Sequence, residues 1–331
     1  MRVHEMRQKK AFFHERGRMA RRPWEIPLNG WRDIALRLKD DITNHNISII
    51  AAGVAFYALL SIFPALVAIV SLYGLVANPA DVQQQFTHYG GILPEEAQLL
   101  ISQQLQRITA SATSAMSAGV ISGVLFAVWS ATRGTKAFML ALNIVYNEKE
   151  KRGFLQFNKI ALMITFGMIM LVVLALGLIV TLPILLSILN LPGALSTVLS
   201  FFPWLLLSGC FVFWLAMLFR YGPSRSEPQW NWVSVGSIAA TVLWVITSML
   251  FSFYVGNFGK YANTYGSVGA IIILLLWFYL TAFVILFGAE LNAQMEHQTM
   301  VDTTKGEPRS MGQRGAYVAD TLGEALDDKD K

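Results

Sequence analysis

NFGKYANTYGSVGAIIILLLWFYLTAFVILFGAELNAQ, residues 257–294, decides the fold. From Ser267 to Ala289 it carries no charged side chain. At about 1.5 Å of rise per residue, a helix over that run crosses a hydrocarbon core of about 30 Å. Both ends carry more than a simple span needs. The entrance sets Gly256, Gly259, Gly266 and Gly269 among Asn257, Lys260, Tyr261, Asn263 and Tyr265. The exit places Glu290 and Asn292 where the apolar run stops.

The rest of the chain follows the same pattern. Of 331 residues, 54% are hydrophobic and only 14% are charged. A soluble domain carries about 25% charged residues. The missing charge is missing in blocks, as expected of several spans with wet ends. Earlier spans are predicted over about Ile49–Ala77, from Met116, and over Lys159–Leu189, Ser196–Phe219 and Val233–Val255; the opening stretch gives a sixth, over Gly266–Gly288. Pro64 lies inside the first, where neighbours must re-satisfy the freed backbone. Cys210 is the sole cysteine, so no intramolecular disulfide forms.

Charge sets the expected orientation. Basic residues cluster before the first span, after the second (Lys149, Lys151, Arg152) and after the fourth (Arg220, Arg225). The alternate loops hold only Arg107 and Lys260. The positive-inside rule then places both termini in the cytoplasm, and the net charge of +5 reflects those loops rather than nucleic acid. Residues 1–30 read as a basic cytoplasmic tail, 31–298 as a six-helix membrane domain, and 299–331 as a disordered cytoplasmic tail low in large apolar residues. Trp31, Ile34, Ala35, Leu38 and Ile42 share one helical face. They predict an amphipathic helix lying in the interface or packed on the protein's own cytoplasmic surface. A second short amphipathic helix is expected over Ala97–Ile108. The predicted class is an all-α integral membrane protein, a six-helix bundle with short interfacial helices.

Several long motifs resemble one family. AAGVAFYALLSIFPALV at 51–67, WSATRGTKAFMLALNIVY at 129–146, YGP at 221–223 and YGSVGAIIILLLWFYLTAFVILFGAELNAQ at 265–294 occur in order. They resemble signatures of the YihY/BrkB family of bacterial inner-membrane proteins, over about residues 35–297. The resemblance implies six helices in the inner membrane and a transporter or virulence-associated role. It brings no agreed catalytic residues. Some members carry an old label, ribonuclease BN.

Enzyme chemistry is not expected. A nuclease needs acids or histidines to hold metal or move protons. The five histidines (His4, His14, His45, His88, His297) are scattered, and between Glu96 and Glu290 the acids are Glu148, Glu150 and Glu227. No metal-ligand or phosphate-loop motif occurs, so no cofactor or metal is expected. Two polar sets remain. Arg133, Lys136, Arg220 and Glu290 fall near one membrane face, as a gate or a site for an anionic or zwitterionic group, or as plain interfacial anchors with a structural ion pair. Glu290 is expected to face the bundle and pair with one of the three cations. Asn257, Lys260, Asn263 and Tyr265 form a candidate outer cavity, or an ordinary outer loop. Two functions follow: a carrier or exporter of a small polar solute or lipid-like molecule, or a non-transporting scaffold supporting envelope assembly. Membrane lipids are the expected partners, with a homo-oligomer as an option and no nucleic acid.

Overall fold

The computed structural model describes residues 12–73, 116–189, 193–258 and 267–325. They form helices α1 (Leu28–Asn44), α2 (Ile47–Tyr73), α3 (Met116–Val145), α4 (Phe154–Leu189), α5 (Gly193–Tyr221), α6 (Trp230–Phe258), α7 (Ser267–Glu296) and the single turn α8 (Tyr317–Asp320). Among the described residues there is no strand, only one isolated bridge between Pro228 and Thr304. Four helices (α4 to α7) contain stretches long and apolar enough to cross a membrane; α1 and α2, bent by 61° at their junction, make a fifth candidate if counted as one span.

Each of α2 to α7 packs on the next, and α7 closes the ring by packing on α2. The ends alternate. Polar bonds draw together the start of α2, the end of α3, the start of α4, the end of α5, the start of α6 and the end of α7. This basic end also holds the core. Ile47 and Ala51 of α2, Met139 and Leu142 of α3, Leu215 and Phe219 of α5, Val233 of α6 and Leu286 of α7 are buried together there. Farther along, large side chains face outward: Leu205 is 75% exposed and Phe253 68%. In water that exposure would be unfavourable; in hydrocarbon it is the expected exterior.

Helix α7 runs 30 residues, about 45 Å, and continues past the expected end at Gly288. Its seam with α6 is tight. A Cβ on Gly236 would meet the Gly288 carbonyl oxygen at 2.1 Å and Asn292 Oδ1 at 2.4 Å. Asn292 locks the seam: its Oδ1 accepts from the Gly236 N–H (2.8 Å) and its Nδ2 donates to the Val233 carbonyl (3.2 Å). Small residues let the backbones close in, as in membrane helix pairs generally.

Helix α1 takes the second of the two placements read from its apolar face. Ile34 packs with Trp232 and Met295, beside Trp31 and Leu291, on the ends of α6 and α7.

The described part of the C-terminal tail, residues 299–325, corrects the expectation of disorder, and the described part of the N-terminal tail packs against it. In the N-terminal tail, Arg18 is buried and donates to the Gly323 carbonyl (2.8 Å), while the Arg18 carbonyl accepts from the Met300 N–H (2.8 Å). Residues 299–325 are ordered by backbone pairing rather than apolar mass. The Gln229 N–H donates to the Thr303 carbonyl (2.8 Å) and the Ser226 N–H to the Gly315 carbonyl (3.0 Å). Gly315 takes φ +72°, a conformation that favours glycine. Both described ends therefore lie at the basic end of the bundle.

Candidate functional site

Glu290 is fully buried within the bundle. Its partner differs from the expectation. Glu290 Oε2 lies 3.2 Å from His45 Nδ1, at the bend between α1 and α2, and Oε1 accepts from Gln294 Nε2 at 3.3 Å. Gln294 also donates to Asp41. None of Arg133, Lys136 or Arg220 is an ion-pair partner of Glu290. Arg133 is exposed on α3 and stacks over Trp129 at 4.0 Å, one helical turn back. Lys136 is half-buried on α3. The expected cluster is thus not formed: Glu290 pairs with the His45 imidazole, while Arg133 stacks on its own helix.

Arg220 joins a different group. It ends α5, is 3% exposed, and its Nη2 donates to Glu227 Oε2 at 2.9 Å. Its guanidinium lies over the Trp230 ring at 4.4 Å and the Tyr221 ring at 5.4 Å. The short loop between α5 and α6 keeps it there. A Cβ on Gly222 would meet the Leu218 carbonyl oxygen at 2.4 Å, so only glycine allows the chain to turn so closely. Arg152 grips the same turn, donating to the carbonyls of Tyr221 (3.0 Å) and Gly222 (2.7 Å). Glu150 holds Arg152 in turn. Burial alone would raise the Glu150 carboxyl, but hydrogen bonds from Arg152 and Asn143 outweigh it and hold the pKa at about 2. Asn143 Oδ1 accepts from the Ser224 N–H (2.7 Å), tying α3 to the same loop.

The Arg225 side chain is completely buried. Its Nη2 donates to Glu296 Oε2 at 2.6 Å, and its guanidinium lies over Tyr146 at 4.9 Å. Thr303 of the C-terminal segment donates to the same carboxylate oxygen. Neither Glu296 nor this pairing was read from the sequence. The signal was there: Glu290, Asn292, Gln294 and Glu296 follow one another past the apolar run, and all four are buried. A helix extended two turns beyond its span with polar side chains on it packs them against something.

These groups surround a pocket of about 390 Å³, lined by Lys151, Arg152, Arg220, Arg225, Ser224 and Glu227 among others. Ile160 and Tyr221 line it and also line a second, larger space. That space is an apolar groove of about 950 Å³ between α4 and α5. Met163, Met170 and Leu174 form one wall, Leu206, Cys210 and Phe213 the other. Trp214 lies beneath, with its indole N–H donated to the Ile164 carbonyl at 3.1 Å. No sequence signal marked the groove, because helices that are apolar all round carry no stripe.

Of the outer candidates, Asn257 lies in the last turn of α6. Lys260, Asn263 and Tyr265 lie outside the described residues, as does the helix expected over Ala97–Ile108. Among the described residues, no group of three or more His, Cys, Asp or Glu side chains could hold a metal ion.

The chain is similar to several named proteins. It is 30% identical to YfkH of Bacillus subtilis, named as ribonuclease-like, over 73% of this chain and 88% of that one. It is 29% identical to a UPF0761 membrane protein of Vibrio vulnificus, over 76% of this chain and 79% of the other. A UPF0761 membrane protein of Vibrio cholerae is 26% identical, over 82% and 88%. No solved structure matches. The virulence factor BrkB family matches residues 38–313, from α1 through the basic end to the C-terminal segment. With that match over most of its length, the chain belongs to the virulence factor BrkB family.

Proposed function

We infer that this protein is a six-span carrier or exporter of a lipid-like molecule in the bacterial inner membrane, with both termini cytoplasmic. One observation carries the reading: the apolar α4–α5 groove and a polar, arginine-lined pocket adjoin, sharing Ile160 and Tyr221 in their walls. An apolar groove alone takes any acyl chain. A groove that ends on charge matches an amphiphile, with its tail along Met163 and Met170 and its headgroup beside Arg220. This favours a lipid-like cargo over a small polar solute, since the groove walls offer a polar solute almost no partner.

The span count and orientation have their own support. Six long helices alternate so that their ends meet at one basic layer, and basic loops stay on the cytoplasmic side. The scaffold reading draws on the sealed α6–α7 seam, where a rigid half-bundle needs no cargo. YfkH bears a ribonuclease-like name; the scattered histidines of this chain support a non-enzymatic role instead.

Reconstituted vesicles test the carrier. A fluorescent phosphate-bearing lipid in the inner leaflet should become accessible to an external quencher faster with protein than without. Equal rates in both would remove the carrier reading.

A further inference from the structure

The pocket at the end of the groove contains more hydrogen-bond donors than its own carboxylates use. Each cation lining it has an acidic partner: Lys151 with Glu148 (2.8 Å), Arg152 with Glu150 (2.7 Å), Arg220 with Glu227 (2.9 Å) and Arg225 with Glu296 (2.6 Å). A guanidinium carries five N–H groups, so one carboxylate does not exhaust it. Nε and Nη1 of Arg220 and Nη1 of Arg225 are buried with no acceptor. Buried donors are nearly always paired, and charged ones cost most when left unpaired. The Arg220 guanidinium lies 4.4 Å from the Trp230 ring and 5.4 Å from the Tyr221 ring, with its Nε and Nη1 enclosed and its Nη2 on Glu227.

Glu227 differs from the other acids. It is 42% exposed while Arg220 is 3% exposed, and it also lies 3.7 Å from Lys305. An exposed carboxylate is held weakly, because water competes for it. Its position nevertheless shows that an anion is accommodated against the Arg220 edge.

We propose that this pocket binds a phosphate-type group at Arg220, with Lys151 as the entry charge, when Glu227 swings out into solvent. The chemistry favours phosphate over another carboxylate. Glu227 meets Arg220 through a single oxygen and leaves its other donors unfilled, whereas a group with three terminal oxygens offers more acceptors, and the planar fork of arginine suits it. Ser224 and Ser226 add polar groups to the lining. The phosphate arrives either on a lipid headgroup or as the free ion. Continuity with the groove favours the headgroup, and only that choice rests on the carrier reading.

The test is equilibrium binding to the purified full chain in detergent, with quenching of tryptophan fluorescence as one readout and native mass spectrometry as the other. The probes are short-chain phosphatidic acid, inorganic phosphate and short-chain phosphatidylcholine. Phosphatidic acid should bind at least about tenfold tighter than phosphatidylcholine, because its headgroup keeps a net charge and three free oxygens. Lys151→Gln, at a 64% exposed side chain, should weaken binding severalfold, and Glu227→Gln should tighten it. Opposite signs are the signature, since a general loss of structure weakens both. Arg220→Lys keeps the charge but loses the fork, and should weaken phosphatidic acid about tenfold while phosphatidylcholine is unchanged.

Inorganic phosphate binding as tightly as phosphatidic acid would assign a free-anion site; weaker binding would assign a headgroup site. Either supports the pocket. Equal affinity for all three probes, or both neutralised variants moving the same way, overturns it. Binding without lipid movement in vesicles would leave the site standing and remove the carrier.

Discussion

Two seams of one bundle are built on opposite principles. Between α6 and α7, Gly236 and Gly288 stand back to back, and a single added methyl group has no room. Between α4 and α5, a Cβ on Gly209 would meet nothing within 4 Å, and about 950 Å³ stays open above Trp214. The closed seam is tied by Asn292 and leads into a basic end where charges are buried in pairs. The open seam leads to the same end but finds donors left over. One seam is closed by packing, and the other keeps an open apolar groove.

The fixed side should break most severely at its buried charges. Glu296→Gln strands Arg225, since both side chains are 0% exposed. Removing one partner of such a pair costs about 3–5 kcal/mol. The variant should therefore show a sharp drop in folded yield and in thermal stability in detergent. A loss no larger than that of a surface change would mean that water reaches the pair.

The seams themselves can be compared with one substitution each. Gly236→Ala pushes a methyl group into the Gly288 carbonyl and should cost about 1–3 kcal/mol. Gly209→Ala adds a methyl group in open space. It should change stability by no more than about 0.5 kcal/mol, or raise it slightly, because alanine favours helix. Equal effects at the two glycines would erase the contrast.

The C-terminal segment offers a smaller, pH-dependent effect. His297 donates to or accepts from Thr321 Oγ1 at 2.8 Å, and burial, aided by the charges of Arg37 and Arg225, lowers its pKa to about 4. A depressed base favours the neutral form in the docked state. Its contribution is complete above the free value of about 6.5 and is lost as pH falls toward 4. Limited proteolysis within 299–325 should rise on the order of tenfold from pH 7 to pH 5 while the bundle stays intact. His297→Gln should flatten that dependence. A flat profile for the unmodified chain would show that the segment's docking does not involve this proton.

Much of the fold was legible because long apolar runs punctuated by basic loops leave few alternatives. Glu290 was legible as a buried acid, since small and polar residues follow it on α7. Its partner was not, because His45 lies 245 residues away and stood among scattered histidines. The C-terminal segment was misread for a physical reason. Its order rests on backbone bonds and on small side chains such as Val318 and Ala319, which composition undervalues. Asp320 alone accepts from the N–H groups of Gly312, Arg314 and Gly315. The groove was hidden for the opposite reason: helices apolar on every side do not reveal which side stays open.

Photo-crosslinking tests the central claim that the open seam, and not the lipid-facing surface at large, receives the amphiphile. Phosphatidic acid with a photoreactive acyl chain would be bound to the protein in detergent, irradiated, and its adducts mapped by mass spectrometry. The account predicts adducts concentrated on Met163, Met170, Cys210 and Met217 in the groove, reduced by Lys151→Gln. Adducts spread equally onto Met249, Leu250 and Phe253, which are exposed on α6 away from the groove, would contradict it.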